Sequence, residues 1–163
     1  MIKTNKPSVL VTGATGFIGG RLAQRLVESG YLVKLLVRNP DKLSPSLCSA
    51  CEIVQGDLAD FTALVSSVRD VSIIYHCAAN VNTWDSWDAY YATNVLGVKN
   101  LLNTIEMEGP NLSRLVHLST VDVYGFPTDP CDEECDLTGR GFSYGETKLL
   151  GESLVTTLGD SLG

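Results

Sequence analysis

Residues Ser8 to Gly20, SVLVTGATGFIGG, constrain the fold more than any other stretch. An apolar run, Val9-Leu10-Val11, empties into three glycines at intervals of three, Gly13, Gly16 and Gly19. If the run is a strand and the residues from Phe17 onward a helix, the glycines form the tight turn between them, where side chains must be absent for a pyrophosphate to touch the backbone. A helix starting there directs unpaired N–H groups and the positive end of its dipole into the turn. Gly13 then permits the turn, Gly16 lets a ligand close in, and Gly19 lets helix pack on strand. A turn plus a helix-packing glycine, with no ligand, fits the same triplet, so the neighbouring sequence has to decide.

Phe17 to Ser29 carries Ile18, Leu22 and Leu26 at helical spacing, with Gly30 as a stop. Tyr31 to Val37, YLVKLLV, is nearly continuous in apolar residues, as a strand buried on both faces requires. The opening is thus β-α-β, the parallel setting in which a glycine turn binds a dinucleotide. Strand two ends in Arg38 rather than in an acid that would accept from a ribose 2′-hydroxyl. With Lys42 four positions on, Arg38 reads as a seat for a 2′-phosphate, favouring NADP over NAD. A solvated charge beside Asn39-Pro40 is the alternative.

The 163 residues are expected to form one domain, 1–163, able to bury about two-thirds of its unfolded surface. A net charge of -7 argues against nucleic acid or an anionic membrane as the main partner, since both need a basic face. No apolar run approaches the ~20 residues of a spanning helix, and MIKTNKPSV has lysines but no apolar signal core, so a cytoplasmic protein is expected. Five cysteines, an odd number, fit reduced thiols better than a disulfide framework. Cys48-x-x-Cys51 and Cys131-x-x-x-Cys135 are far apart and neither sits in a ribbon-like setting, so no metal site is expected.

Asn39 to Ala50 reads as irregular or a short helix, and Glu52 to Gln55 as a third strand closed by Gly56-Asp57-Leu58. Asp57 either caps the helix at Phe61 to Val68 or accepts from an adenine amino group; the two roles are compatible. Val71 to Tyr75 is a fourth strand running into His76-Cys77-Ala78-Ala79, small residues where backbone can lie beside a cofactor, with His76 read as a packed strand-end residue rather than a catalyst. Asp85 to Glu106 has a broad apolar stripe including Trp87, Tyr91, Val95 and Leu102, and ends at Gly109-Pro110. Asn94 sits mid-helix, where asparagine is intrinsically poor; either an outside partner holds it or it bonds back to its own turn.

Ser113 to Ser119 is a fifth strand that delivers Ser119, Thr120, Asp122 and Tyr124 to its carboxyl end, where open parallel sheets place ligands. The segment from Gly125 to Phe142, with Asp129, Asp132, Glu133, Glu134 and Asp136, is too polar for core and reads as a surface loop and candidate lid. The last helix, from about Phe142, places Tyr144 and Lys148 on one face. An ammonium near a phenol lowers the tyrosine pKa, which suits a general acid or base toward a carbonyl or alcohol, although such pairs also occur for structural reasons.

Taken together, Thr12-Gly13-Ala14-Thr15-Gly16-Phe17-Ile18-Gly19, Gly56-Asp57-Leu58, Asn94-Val95-Leu96-Gly97, Ser119-Thr120-Val121-Asp122-Val123-Tyr124-Gly125 and Tyr144-x-x-x-Lys148 resemble the extended branch of the short-chain dehydrogenase/reductase superfamily, over essentially the whole chain. The resemblance implies an α/β, Rossmann-type doubly wound parallel sheet. It also implies cofactor contacts from Gly13, Thr15, Gly16, Phe17, Ile18, Gly19, Arg38, Lys42, Asp57, Leu58, Ala78, Ala79, Tyr144 and Lys148. Tyr144 would be the proton donor or acceptor at the reacting oxygen, and Lys148 would lower its pKa and hold the nicotinamide ribose. Thr120 would hydrogen-bond the substrate carbonyl and Asn94 would support the site, while the hydride belongs to the cofactor.

Within that branch Val37-Arg38-Asn39-Pro40 looks most like NADP-dependent reductases of the dihydroflavonol 4-reductase type, with hydroxysteroid dehydrogenase-like members close by. Nucleotide-sugar epimerases and dehydratases share the core motifs and usually favour NAD. Family members run to about twice this length. The resemblance therefore implies that the next strand, a proline-glycine segment and the substrate-binding C-terminal lobe are missing from these residues. It further implies a homodimer through Asp85–Glu106 and Phe142–Leu158. Three readings follow: an NADP(H)-dependent oxidoreductase of a small-molecule carbonyl or secondary alcohol, a nucleotide-sugar epimerase/dehydratase with bound NAD, and a non-catalytic dinucleotide sensor, which needs none of Thr120, Tyr144 and Lys148.

Overall fold

The computed structural model describes residues 7–108, 112–138 and 141–162. The N-terminal lysines, the helix stop expected at Gly109-Pro110 and the terminal Gly163 lie outside the described residues. The described chain divides into two compact units, one of Met1–Ala78 with Asn103–Leu118 and the other of Ala79–Leu102 with Ser119–Gly163.

The first unit is built on a five-stranded sheet in the order β3-β2-β1-β4-β5, with every neighbouring pair parallel. The strands are β1 (Ser8–Thr12), β2 (Leu32–Val37), β3 (Glu52–Gln55), β4 (Ile73–His76) and β5 (Arg114–His117). Helices α1 (Phe17–Glu28), α2 (Pro45–Ala50) and α3 (Phe61–Val68) join them. Period-2 alternation explains the layering. On β1 and β2, Val9, Val11, Val33, Leu35 and Val37 join Ala23 and Leu26 of α1 and Leu47 of α2 in one apolar cluster.

The opposite face of β2 carries Lys34, which is 7% exposed. Its ammonium donates to the carbonyls of Ser66 and Arg69 at 3.0 and 3.1 Å, capping the carboxyl end of α3, and meets Glu52 at 3.3 Å. A lysine inside an otherwise apolar strand is thus explained by the orphan carbonyls and negative dipole end of a helix lying on that face.

Strand limits differ slightly from the sequence reading: Tyr31, Val71 and Ser72 precede their strands and His76 ends β4. Asp57 does not cap α3. Asp60 does, its carboxylate accepting from Ala63 N at 3.0 Å, because the cap must sit immediately before the first helical residue. Asn39 to Ala50 resolves into a single 3-10 turn, Pro40–Lys42, and α2, each with proline in its first turn and a side-chain cap from Asn39 and Ser44.

One helical path runs through α4 (Trp87–Tyr91), a π segment (Ala92–Leu96) and into α5 (Gly97–Glu108), its residues up to Leu102 assigned to the second unit and the rest to the first. It starts at Trp87 rather than Asp85, since Ser86 is the N-cap and accepts from Ala89 N at 3.2 Å. A 3-10 turn, Val121–Tyr124, and α6 (Ser143–Leu162) complete the second unit. The described residues between Gly125 and Phe142 are largely exposed, as expected of a surface loop. In that loop the sulfurs of Cys131 and Cys135 are paired, with Cα atoms 5.8 Å apart. This corrects the expectation of five reduced thiols: a turn closed by Cys135 N donating to Asp132 O brings the two Cα atoms within disulfide range. Cys48, Cys51 and Cys77 are free. Among the described residues no helix is long and apolar enough to cross a membrane.

Candidate functional site

One group of candidate residues lies in the first unit, at the turn after β1. Gly13 has φ +75°, and a Cβ there would lie 2.7 Å from Ala78 N and 2.8 Å from the Cys77 carbonyl carbon. A Cβ on Gly19 would fall 2.4 Å from Gly13 O, so the first turn of α1 rests directly on the glycine turn. Gly16 differs: among the described residues a Cβ there would meet only Gly13 O, at 3.3 Å, and Thr15, Gly16, Phe17 and Ile18 are all exposed. Gly16 is also the N-cap of α1, extended and with no side-chain cap bond, and no acid stands in the first helical turn. The amino end of α1 therefore presents backbone donors and positive dipole to an open surface, a fitting cradle for a pyrophosphate. Ile18 was expected on the core stripe but is 52% exposed; Gly19, Ala23 and Leu26 form the buried face instead, because Ile18 flanks the turn on its open side.

Thr12 holds the turn against β4. Its hydroxyl accepts from Ala78 N at 3.2 Å and pairs with His76 Nδ1 at 2.8 Å. His76, 2% exposed, stacks on His117 with ring centroids 5.3 Å apart, matching its reading as a packed strand-end residue. Ala78 and Ala79 are half-buried and Leu58 is buried. Arg38 is exposed, with Nε 3.8 Å from Asp57 Oδ2, and Lys42 is exposed on the 3-10 turn. Asp57 also accepts from Ala59 N at 3.0 Å. An ion pair this exposed contributes at most about 1 kcal/mol, so turning Arg38 toward a phosphate costs little.

A second group of candidate residues lies in the second unit. Asn94, 2% exposed, does not bond back to its own turn. Its Oδ1 accepts from Asn80 N at 2.7 Å, and its Nδ2 donates to Asn80 O at 3.1 Å and to Thr147 Oγ1 at 3.3 Å. The side chain thus replaces a missing backbone partner for the segment after β4. Asn80 in turn donates to Asp85 Oδ2 at 2.9 Å, and the Tyr90 hydroxyl accepts from Asp85 N and donates to Asn82 O. The bonds from Asn80, Ser86 N and Asn82 hold the Asp85 carboxyl below its ordinary value. Replacing Asn94 by alanine is expected to strand the half-buried Asn80 N–H and C=O and cost about 1–2 kcal/mol, read in urea unfolding, with faster amide exchange confined to 80–85.

Thr120 is the N-cap of the 3-10 turn, accepting from Asp122 N at 3.3 Å and donating to Asp122 Oδ2 at 3.0 Å. Ser119 instead donates to the Glu152 carboxylate. Tyr144 packs its ring 6.0 Å from that of buried Tyr90 and 6.1 Å from Phe142. Lys148, one turn on, is 3% exposed. The expected lowering of the Tyr144 pKa is not found. Burial pushes the phenol above its ordinary value, the Thr120 hydroxyl draws it down, and the Asp122 carboxylate and Tyr90 push it up; Lys148 is not among the causes. The phenol is therefore the resting form at neutral pH.

Asn80 and Tyr90 were not singled out as site residues from sequence, and Asp122 was placed at the ligand-facing end of the fifth strand without a role. Only Asp122 had a readable signal, since Thr-x-Asp is a local side-chain-to-backbone turn pattern. Among the described residues no group of three or more His, Cys, Asp or Glu is placed to hold a metal ion.

A parallel sheet whose first strand runs through a glycine turn into an open helix N-terminus is the Rossmann-type architecture of dinucleotide-binding proteins. The chain belongs to the NAD dependent epimerase/dehydratase family, whose model matches residues 9–163, in the extended branch of the short-chain dehydrogenases/reductases. It is 32% identical over 159 residues to a 2-alkyl-3-oxoalkanoate reductase of Stenotrophomonas maltophilia, covering 94% of this chain and 47% of that protein. A Synechocystis sp. protein provisionally assigned as a dihydroflavonol 4-reductase is 36% identical over 123 residues, 73% of this chain and 34% of that one. A short-chain dehydrogenase/reductase superfamily protein of Agrobacterium tumefaciens, solved with bound NAD, superposes with a TM-score of 0.80 at 32% identity, over 92% of this chain and 44% of the other. The chain thus spans about half the length or less of the relatives it matches, and the family is NAD(P)-dependent.

Proposed function

We propose that these residues are the cofactor-binding portion of an NADP(H)-dependent oxidoreductase that reduces a small-molecule carbonyl or oxidises the corresponding secondary alcohol. The observation that supports this most is Tyr144 in the first turn of α6 with buried Lys148 one turn on, a phenol that can give a proton to a carbonyl oxygen. Gly13, Thr15, Gly16, Phe17, Ile18 and Gly19 would hold the pyrophosphate, Asp57 and Leu58 the adenine, and Arg38 with Lys42 a 2′-phosphate. Ala78 and Ala79 would lie beside the cofactor, and Lys148 would hold the nicotinamide ribose. The cofactor, when bound, supplies or accepts the hydride. Tyr144 then donates its proton to the substrate oxygen, Thr120 lies beside that oxygen, and Asn94 keeps the Asn80 segment in place. Because the matched relatives extend well beyond the aligned part, we place substrate recognition in a lobe outside the 163 residues. A cytoplasmic homodimer is part of the same proposal.

The second reading, an epimerase or dehydratase with resident NAD, is favoured by the family description and by the NAD-bound neighbour. Denaturing the purified protein and identifying the released nucleotide separates the two. We expect exchangeable NADP(H) and NADPH oxidation with a panel of small carbonyl compounds; stoichiometric, tightly retained NAD without net oxidation of NADPH would replace this reading by the second.

A further inference from the structure

We propose that Gly151 and Thr147 are positioning residues for Tyr144: they seat α6 on the carbonyl and the side chain of Asn94 in the π segment and so set where the phenol stands. The inference rests on the reading of Tyr144 as the group that protonates the substrate oxygen. Tyr144, Thr147, Lys148 and Gly151 follow one another at i, i+3, i+4 and i+7, a single stripe of the helix. Whatever the stripe meets at Gly151 therefore bears on the side of α6 that carries the tyrosine.

The close point is backbone against backbone. In the π segment Gly97 N donates to Ala92 O, five residues back rather than four, and the extra residue widens the turn. A Cβ on buried Gly151 would stand 2.4 Å from Asn94 O, with Asn94 C at 3.6 Å and Val98 Cγ2 at 3.5 Å. Only a residue without a side chain fits there. The backbone at 151 is helical, where alanine is intrinsically the better residue, so the contact and not the conformation requires glycine.

Asn94 is poorly placed to give way. Its Oδ1 accepts from Asn80 N at 2.7 Å and its Nδ2 donates to Asn80 O at 3.1 Å, so a shift of its backbone strains both bonds. The same Nδ2 donates, at 3.3 Å, to Oγ1 of fully buried Thr147, one turn before Gly151 on the stripe. Thr147 Oγ1 is within donating distance of Ser143 O at 2.8 Å and of Tyr144 O at 3.0 Å, so the bond from Asn94 reaches the turn that carries the tyrosine. In that turn the Tyr144 ring stands 6.0 Å from that of Tyr90, and a Cβ on Gly145 would meet Asp122 O at 2.9 Å. With α6 seated this closely, a methyl at 151 displaces the helix rather than the π segment.

The test compares Gly151→Ala and Thr147→Val with the wild-type chain and with Gly159→Ala, a control on the same helix where nothing lies within 4 Å of a Cβ. The first measurement needs neither substrate nor nucleotide: NOEs between the Tyr90 and Tyr144 rings in tyrosine-labelled protein, assigned with Tyr144→Phe. Wild type and Gly159→Ala are expected to show them, Gly151→Ala to lose them, and Thr147→Val, which cuts one bond and adds no volume, to weaken them. The second is NADPH oxidation with a panel of small carbonyl compounds, at a temperature where circular dichroism shows each variant folded. In Gly151→Ala kcat is expected to fall by about 10–100-fold with KM for NADPH unchanged within a few-fold, as for a displaced proton donor. A merely structural glycine would lower the unfolding midpoint and leave kcat of the folded protein where it was. Intact ring NOEs or an unchanged kcat in folded Gly151→Ala would overturn the proposal. Should Gly151→Ala not fold, Thr147→Val decides, and ring NOEs of wild-type intensity there would overturn it equally. If the wild type oxidises NADPH with no carbonyl compound, the oxidoreductase reading falls and the ring NOEs alone judge the seat.

Discussion

Gly13→Ala and Gly19→Ala are each expected to abolish measurable dinucleotide binding and to destabilise the first unit by about 2–5 kcal/mol. At Gly13 the methyl meets two penalties: a left-handed backbone, which costs an L-residue about 1–2 kcal/mol, and the Ala78 and Cys77 backbone atoms within 2.9 Å. At Gly19 the backbone is ordinary helix, where alanine normally stabilises by about 1 kcal/mol, so contact decides the sign. A Cβ 2.4 Å from Gly13 O is met by backbone that cannot move without opening the turn. Gly159 on α6 is the control, because nothing lies within 4 Å of a Cβ there. Its alanine variant is expected to be neutral or stabilising. Urea unfolding followed by nucleotide titration of the three variants reads both effects.

Tyr144→Phe is expected to lower kcat in the protein that carries these residues by about 10²–10⁴-fold, with nucleotide affinity unchanged within a few-fold. Only the hydroxyl is lost, and the ring stays packed against Tyr90 and Phe142. The pH dependence follows from the direction of the shift. Because burial holds the folded-state phenol above its ordinary value, carbonyl reduction, which uses the protonated form, should be level through neutrality and fall only well on the alkaline side. Alcohol oxidation, which uses the phenolate, should rise with pH over the same range. A profile whose reductive limb falls near neutrality would mean that a bound ligand, or Lys148 in the complete site, lowers the phenol after all.

How much of this could be read in the sequence depends on how local each cause is. The turn after β1 was legible because its determinants sit within eight residues and follow from glycine geometry alone. The structural roles of Gly13 in the turn and of Gly19 in packing the helix against it were readable too. Asn94 was flagged by its poor helix propensity, but its partner Asn80 was not, since pairing across 14 positions through an irregular segment leaves no periodic trace. The π segment at Ala92–Leu96 likewise has no residue signature. Assigning the α3 cap to Asp57 failed by three residues: two acids stood near the helix start, and only the backbone path selects Asp60. The Tyr144–Lys148 spacing was read correctly as one helical face, yet the direction of the Tyr144 shift depends on burial and on Asp122 from a different element, which helical spacing does not reveal.

The measurement that tests the central claim most directly is calorimetric titration of the protein with NADPH and with NADH, in the wild type and in Arg38→Ala. The account predicts tighter binding of NADPH in the wild type, a preference lost in Arg38→Ala with NADH affinity little changed, and a preference that weakens with added salt as expected for a phosphate–guanidinium contact. A tenfold or greater preference for NADH in the wild type, or no binding of either nucleotide, would contradict it.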